Sequence, residues 1–498
     1  MSGEKKQSVA SRLVELATAR YDLVTGADGN RPYAIERDGP NVVLPLRGKA
    51  GLRQRLARTF TAANAGEVPS QSALADAMTV LEGIAGESDP VPVHMRCGRA
   101  ADGSIVVDLG TADGRCVVVS PYGWELTERS PILFRRSGAM APMPIPRADD
   151  DFGGLERLRA LMNIDDTGFR QLVAWMVAAW IPDLPHPILT LKGEQGTGKS
   201  KAASMVINLI DPSDAPKRSL PRDVKSWSAQ AFNSWALCLD NVSVIPPWLS
   251  DTLCKAVTGD GIVDRALYTD DDVVVLSFRR VLAMTTIDAG ALAGDLAERL
   301  LMLDLELIDS SRRSGEAELD AAFDAARPAI LAALFDLLAS VMAVLPGVRL
   351  ASLPRMADFA RVLAAVDAVQ EWNTLSAYLS ASANVAADAL EGDPFGAAVA
   401  ALVERHGTWS GTAAALLELL LPAGVEGHRP HGWPKDATRA GGKLKRLAPL
   451  LRSIGINVNE ARTGKQRQRI YTLTTGPRQP ALPEAAPPTT RASAYHTR

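Results

Sequence analysis

Cysteine is scarce, with four in 498 residues (Cys97, Cys116, Cys238 and Cys254) and no CxxC pair. That excludes a disulfide framework and fits reduced, buried thiols of a cytoplasmic protein. Aromatic residues are thin at 5%, although a 47% hydrophobic content is enough for real cores. No apolar run reaches the roughly 18 residues that a membrane span needs. The longest, Phe169 to Ile181, is broken by Arg170 and Gln171. The N-terminal MSGEKKQSVA lacks the apolar centre of a secretory signal, so no membrane partner is expected. Net charge is also nearly absent, at −3.

What is present is unevenly spread. Between Lys435 and Ile470 ten Lys or Arg stand against Asp436 and Glu460, a net +8, so the rest of the chain carries −11. A basic C-terminal segment on a mildly acidic body points toward nucleic acid. The length accommodates about three domains at roughly 100 to 200 residues each. Composition divides the chain into residues 1–150, of mixed helix and strand pattern; 151–312, holding the nucleotide motifs; 313–390, helical; 391–475, basic; and a Pro/Ala-rich tail, 476–498, expected to be disordered. The first boundary is the Pro-rich, then acidic, stretch Met140 to Asp151. Within residues 1–150, Ser72 to Ala85 has helical spacing, and two apolar runs flank the turn Thr111 to Gly114 as a hairpin. Asp102 and Asp108 do not make the Asp-x-Asp pair of a polymerising site, so this region is read as structural or recruiting.

The strongest motif is GEQGTGKS, residues 193–200, a full match to G-x-x-x-x-G-K-[ST]. Ile188 to Leu191 before it suit a buried parallel strand, and Ser200 to Ile210 after it have helical spacing. Gly193, Gly196 and Gly198 let the backbone curl around a phosphate, with Glu194, Gln195 and Thr197 completing the loop. The following helix aims its positive end at the anion. Lys199 would meet the β and γ oxygens of ATP, and Ser200 would ligate Mg²⁺. About 40 residues on, the apolar run WALCLD ends in Asp240, where a magnesium-ordering acid belongs. Asn241 follows where many NTP hydrolases place Glu; Asn positions water but takes up no proton, so binding is better supported than fast hydrolysis.

The order GEQGTGKS, ALCLDN, LCKAVTGDGIVDRALYTDDD, RRVLAMTTID and DLAERLLMLDL, over Pro187 to Leu307, resembles the superfamily 3 helicases. More narrowly it resembles phage, plasmid and poxvirus-type primase-helicases, including ATP-binding proteins of actinobacterial mobile elements. The resemblance implies an AAA+-like α/β P-loop NTPase core acting on single-stranded or forked DNA as a homo-oligomer, a hexameric ring, alongside replication proteins. It places Lys255 and Arg265 in a hairpin segment facing the DNA channel, whose acidic tip (Asp270 to Asp272) reads as a solvated turn. It sets Thr286 where the family's sensor Asn stands, and Arg299 as an arginine reaching a neighbour's nucleotide; a surface ion pair with Asp295 is the competing reading.

Three helical patterns (Phe395–His406, Thr412–Leu421, Ala437–Ile454) followed by a hairpin read as a winged helix. Arg439, Lys443, Lys445 and Arg446 belong to its third helix. Arg462, Lys465, Arg467 and Arg469 belong to the hairpin. Such a set would track phosphates with little sequence preference; a merely solvated face or a protein-docking module are the alternatives. The expected whole is an α/β P-loop core with an α+β N-terminal domain, a helical segment and a C-terminal winged helix. The expected function is a DNA helicase- or translocase-type ATPase of a phage or mobile element. An ATP-gated initiation protein with slow hydrolysis and a small-molecule kinase are its rivals.

Overall fold

Short β-branched runs become strands and Ala/Leu-rich stretches become helices. The computed structural model describes residues 7–48, 51–148, 153–259, 261–265, 273–287, 294–309, 311, 315–420, 430, 432–463 and 468–476. The chain opens with α1 (Val9–Arg20), β1 (Tyr21–Gly26), β2 (Arg31–Glu36), β3 (Val42–Pro45), α2 (Leu52–Ala63) and α3 (Gln71–Gly86). Then come β4 (Val93–His94), β5 (Cys97–Arg99), β6 (Ile105–Asp108), β7 (Cys116–Ser120), β8 (Gly123–Thr127) and β9 (Leu133–Arg135). One mixed sheet has the order β1-β2-β3-β9-β4, and an antiparallel one the order β5-β6-β7-β8.

The first three helices bury Leu13, Leu56, Phe60 and Leu81 in a core of their own. The β5–β8 sheet instead turns Ile105, Val107, Val117 and Val119 into the core of the following unit. The expected boundary near residue 150 is therefore no boundary of the core, because strand faces before it and helices after it bury the same apolar surface. A buried ion pair reinforces the junction. Arg96, fully buried, donates from Nε to Asp211 at 2.8 Å and from its other nitrogens to the carbonyls of Asp108 and Ala141. The second Asp211 oxygen accepts from the amides of Trp235 and Ala236. Every charge here has partners, the condition under which burial is tolerated. Asp108 is occupied too, by Arg136 at 2.7 Å.

The central unit runs α4 (Gly154–Leu161), α5 (Asp166–Ala179), β10 (Ile188–Lys192), α6 (Lys199–Ile210), β11 (Lys217–Arg218), α7 (Val224–Phe232) and β12 (Ala236–Leu239). It continues through α8 (Pro247–Thr258), β13 (Gly261–Arg265), β14 (Val273–Ser277), β15 (Val281–Thr286), α9 (Gly294–Ala297) and β16 (Leu300–Asp304). Five strands form a sheet in the order β11-β12-β15-β10-β16, every pairing parallel. Such a sheet needs cover on both faces, and α5, buried without a gap from Gln171 to Ala179, supplies part of it. The chain leaves β10 toward one edge of the sheet and returns from β15 across β10 to β16. That reversal puts a crevice at the carboxyl end of β10.

Next come α10 (Glu316–Val344), a 3₁₀ turn at Leu345–Gly347, α11 (Ala357–Gln370) and α12 (Thr374–Glu391). Here one expectation fails: Glu316–Gly347 is long and apolar enough by length and composition to cross a membrane. Its apolar residues, Leu331, Leu334, Phe335 and Leu338 among them, lie in the central core, so the run is a buried helix of the fold. The last unit has α13 (Pro394–His406), β17 (Thr408–Gly411), α14 (Ala413–Leu420), α15 (Ala437–Ser453), β18 (Ile456–Thr463) and β19 (Gln468–Thr475). Its sheet is antiparallel, order β17-β19-β18, and its core is separate, built on Phe395, Leu416, Leu444 and Leu473.

Candidate nucleotide site and nucleic-acid interface

The phosphate-loop residues lie where the crevice is. Gly193 to Gly198 join the carboxyl end of β10 to the start of α6. Gly196 and Gly198 have φ of 89° and 81°, the left-handed region that a side chain disfavours. Gly193 is needed for room instead, since a Cβ there would lie 2.8 Å from Thr197 Oγ1 and 3.0 Å from the Leu305 carbonyl. Thr197 is buried and donates to the Glu194 carbonyl, bracing the loop, while Glu194 and Gln195 are exposed. No side chain caps α6 and no acid occupies its first turn, so its positive end faces the crevice.

Lys199 folds back over the loop, its Nζ donating to the carbonyls of Gly193 at 2.7 Å and Glu194 at 2.6 Å. Desolvation lowers its pKa, against the opposing charge of Asp240. Asp240 follows the last residue of β12, and its Oδ1 accepts from Ser200 Oγ at 2.8 Å and Thr285 Oγ1 at 2.6 Å. Thr285 Oγ1 in turn accepts the Asn241 amide at 2.8 Å. Asn241 is exposed with φ of 56°, a conformation that Asn tolerates better than Glu does.

Two threonines end β15, and they face different neighbours. β12 pairs with β15 so that Leu239 faces Met284, which sets Asp240 beside Thr285. Thr286, the candidate for the sensor position, pairs with Lys192 of β10, and its carbonyl accepts the Gly193 amide at 3.3 Å, so it lies beside the start of the phosphate loop. Both threonines are visible in the sequence; the parallel register that sets their neighbours is not.

Arg299 is only 7% exposed. Its carbonyl accepts the Ile188 amide, at the amino end of β10, so it sits about 17 Å along the sheet from the phosphate loop. The Asp295 side chain lies outside the described residues.

In the C-terminal unit Arg439, Lys445, Arg446, Arg462 and Arg469 are exposed. Lys443 is turned inward, Nζ at 2.7 Å from both the Gly432 carbonyl and Asp393, and so ties α15 to the cap of α13 instead of meeting solvent. Lys465, Arg467 and Asp270 to Asp272 lie outside the described residues, as does the side chain of Arg265. Lys255 is exposed in the last turn of α8. Among the described residues no cluster of three or more His, Cys, Asp or Glu is arranged to hold a metal.

Two family models match the chain. One, for an actinomycete integrative conjugative element replication protein, covers residues 155–388; the other, for the C-terminal domain of the same protein, RepA, covers residues 395–489. Among solved structures, the apo C-terminal region of NrS-1 is similar at 12% identity, covering 95% of this chain and 100% of that one with a TM-score of 0.39. JCV helicase is similar at 11% identity, covering 48% of this chain and 64% of that one with a TM-score of 0.25. No curated protein sequence matches.

Proposed function

The chain belongs to the replication proteins of actinomycete integrative conjugative elements, whose two models span about two thirds of it, and we propose that it is an ATP-dependent helicase- or translocase-type ATPase acting on the element's DNA. The observation that carries the proposal is the Ser200 hydroxyl held 2.8 Å from Asp240 beside a glycine-rich turn, at the reversal point of a parallel sheet.

Hydroxyl and carboxylate are hard oxygen donors, a set that fits Mg²⁺. Bound there with ATP, the ion would neutralise charge on the β and γ phosphates. Lys199 would exchange the two loop carbonyls for phosphate oxygens. The open amino end of α6 would hold the same anion. Asn241 would orient water without accepting its proton. The last unit has the helix and strand order of a winged helix, and its exposed Arg439, Lys445, Arg446, Arg462 and Arg469 would follow a DNA backbone. Assembly as a six-membered ring, and a cytoplasmic setting, are parts of the same proposal that rest on the resemblance.

The test is magnesium-dependent ATP binding and DNA-stimulated turnover of the full chain beside Lys199→Ala. The variant is expected to lose turnover by roughly 100-fold or more with an unchanged thermal midpoint. Equal turnover in the two proteins would remove the ATPase reading. Asn241 favours one second reading, an ATP-gated initiation protein that hydrolyses slowly; DNA binding with ATP but no strand displacement is its signature.

A further inference from the structure

The register of the C-terminal hairpin sets like charges face to face. β18 and β19 pair so that Arg462 stands directly opposite Arg469, with Glu460 opposite Tyr471. Alternate residues share a face, so these three charged residues extend the face that carries the buried Tyr471 and Leu473. Two guanidinium groups directly opposite on one face repel and weaken the strand pair. Both are exposed, so packing does not offset the repulsion.

Glu460 lies among these cations and one more. Its Oε2 is 2.5 Å from Lys445 Nζ, which reaches over from α15, and its Oε1 is 3.6 Å from Arg469 Nε. The hydrogen bond from Lys445, then the charges of Lys445, Arg469 and Arg462, hold its carboxyl below the usual range. Three cations, one each from α15, β18 and β19, thus act on one carboxylate, leaving a net charge of +2 at the cluster. Carboxylate and phosphodiester present similar pairs of anionic oxygens to such donors.

We propose that Lys445, Arg462 and Arg469 form a phosphate subsite for a nucleic-acid backbone, and that Glu460 is its resident occupant, displaced when a phosphodiester enters. The inference rests on the nucleic-acid reading of this unit and deepens it. The exchange makes and breaks ion pairs only. The resident carboxylate keeps the three side chains gathered on one anion and competes with the strand, so binding is weaker and releases fewer counterions than the cation count implies.

The experiment measures affinity of the full chain for a fluorescein-labelled mixed-sequence duplex, and for its single strand, across a salt series. Glu460→Gln, close in size, is expected to bind roughly 3- to 10-fold more tightly, with a salt slope steeper by about one. Lys445→Ala with Arg469→Ala should weaken binding and cancel the gain from Glu460→Gln. Unchanged or weaker binding by a folded Glu460→Gln protein overturns the subsite, and Glu460→Ala supplies the same measurement if the Gln variant does not fold. Arg439→Ala with Arg446→Ala tests the underlying reading apart from it. If that pair weakens binding while Glu460→Gln changes nothing, only the subsite falls; if the wild type and every variant fail to bind, both fall.

Discussion

A single oxygen, Oγ1 of Thr285, joins two strands at the candidate nucleotide site. It donates to Asp240 and accepts from the Asn241 backbone, fixing both the acid's direction and the left-handed turn that follows it. Thr285→Val keeps the shape and removes both bonds. Partners of this kind behind a metal-binding acid are typically worth about 10- to 100-fold in metal affinity or activity. The expected result is a higher Mg²⁺ midpoint for ATP turnover by about that factor, with the thermal midpoint changed far less. An unmoved Mg²⁺ midpoint would show that Thr285 only packs. The loop, Lys199, Ser200 and Asp240 could all be read in the sequence because their chemistry is local. Thr285 could not be preferred to Thr286, nor Arg299 seen to be buried, because both depend on which strands become neighbours.

At the scale of elements, apolar runs announce β10 and β12, the resemblance places β15, and helical spacing announces α6, α13 and α15. β17 escapes because Thr408–Gly411 contains one large apolar residue, and it becomes a strand only by pairing with β19. Within the helical region 313–390 the apolar spacing runs on past Gln370, yet the chain breaks there between α11 and α12. Glu371 takes φ of 55°, and the Asp367 carboxylate accepts from the Thr374 and Leu375 amides and the Thr374 hydroxyl. An acid four residues before a helical break reads as surface charge until the chain folds back on it. Asp367→Ala should cost about 1 to 2 kcal/mol, read as a lower urea midpoint with an unchanged slope; an equal midpoint would mean that the break holds itself.

The whole molecule departs furthest from what composition suggests. The Pro-rich, acidic stretch before residue 152 has the look of a linker, yet β5–β8 and Met143 bury side chains in the central core and Arg96 holds Asp211 at the end of α6. Periodicity shows which face of a strand is apolar and is silent about what will cover it. A chain beginning at Gly153 would lose Ile105, Val107, Val117 and Val119, each worth about 1.5 to 3 kcal/mol when buried, and would leave Asp211 without its guanidinium. It should aggregate or melt without a cooperative transition; a cooperative melt at the full-length temperature would show that the shared core is dispensable. The opposite end holds no slack either. α12 places Tyr378 in the central core and Leu390 in the C-terminal one, so one rod of 18 residues, about 27 Å long, is seated at both ends. A rod so mounted sets the spacing of the two cores by the length of a single helix.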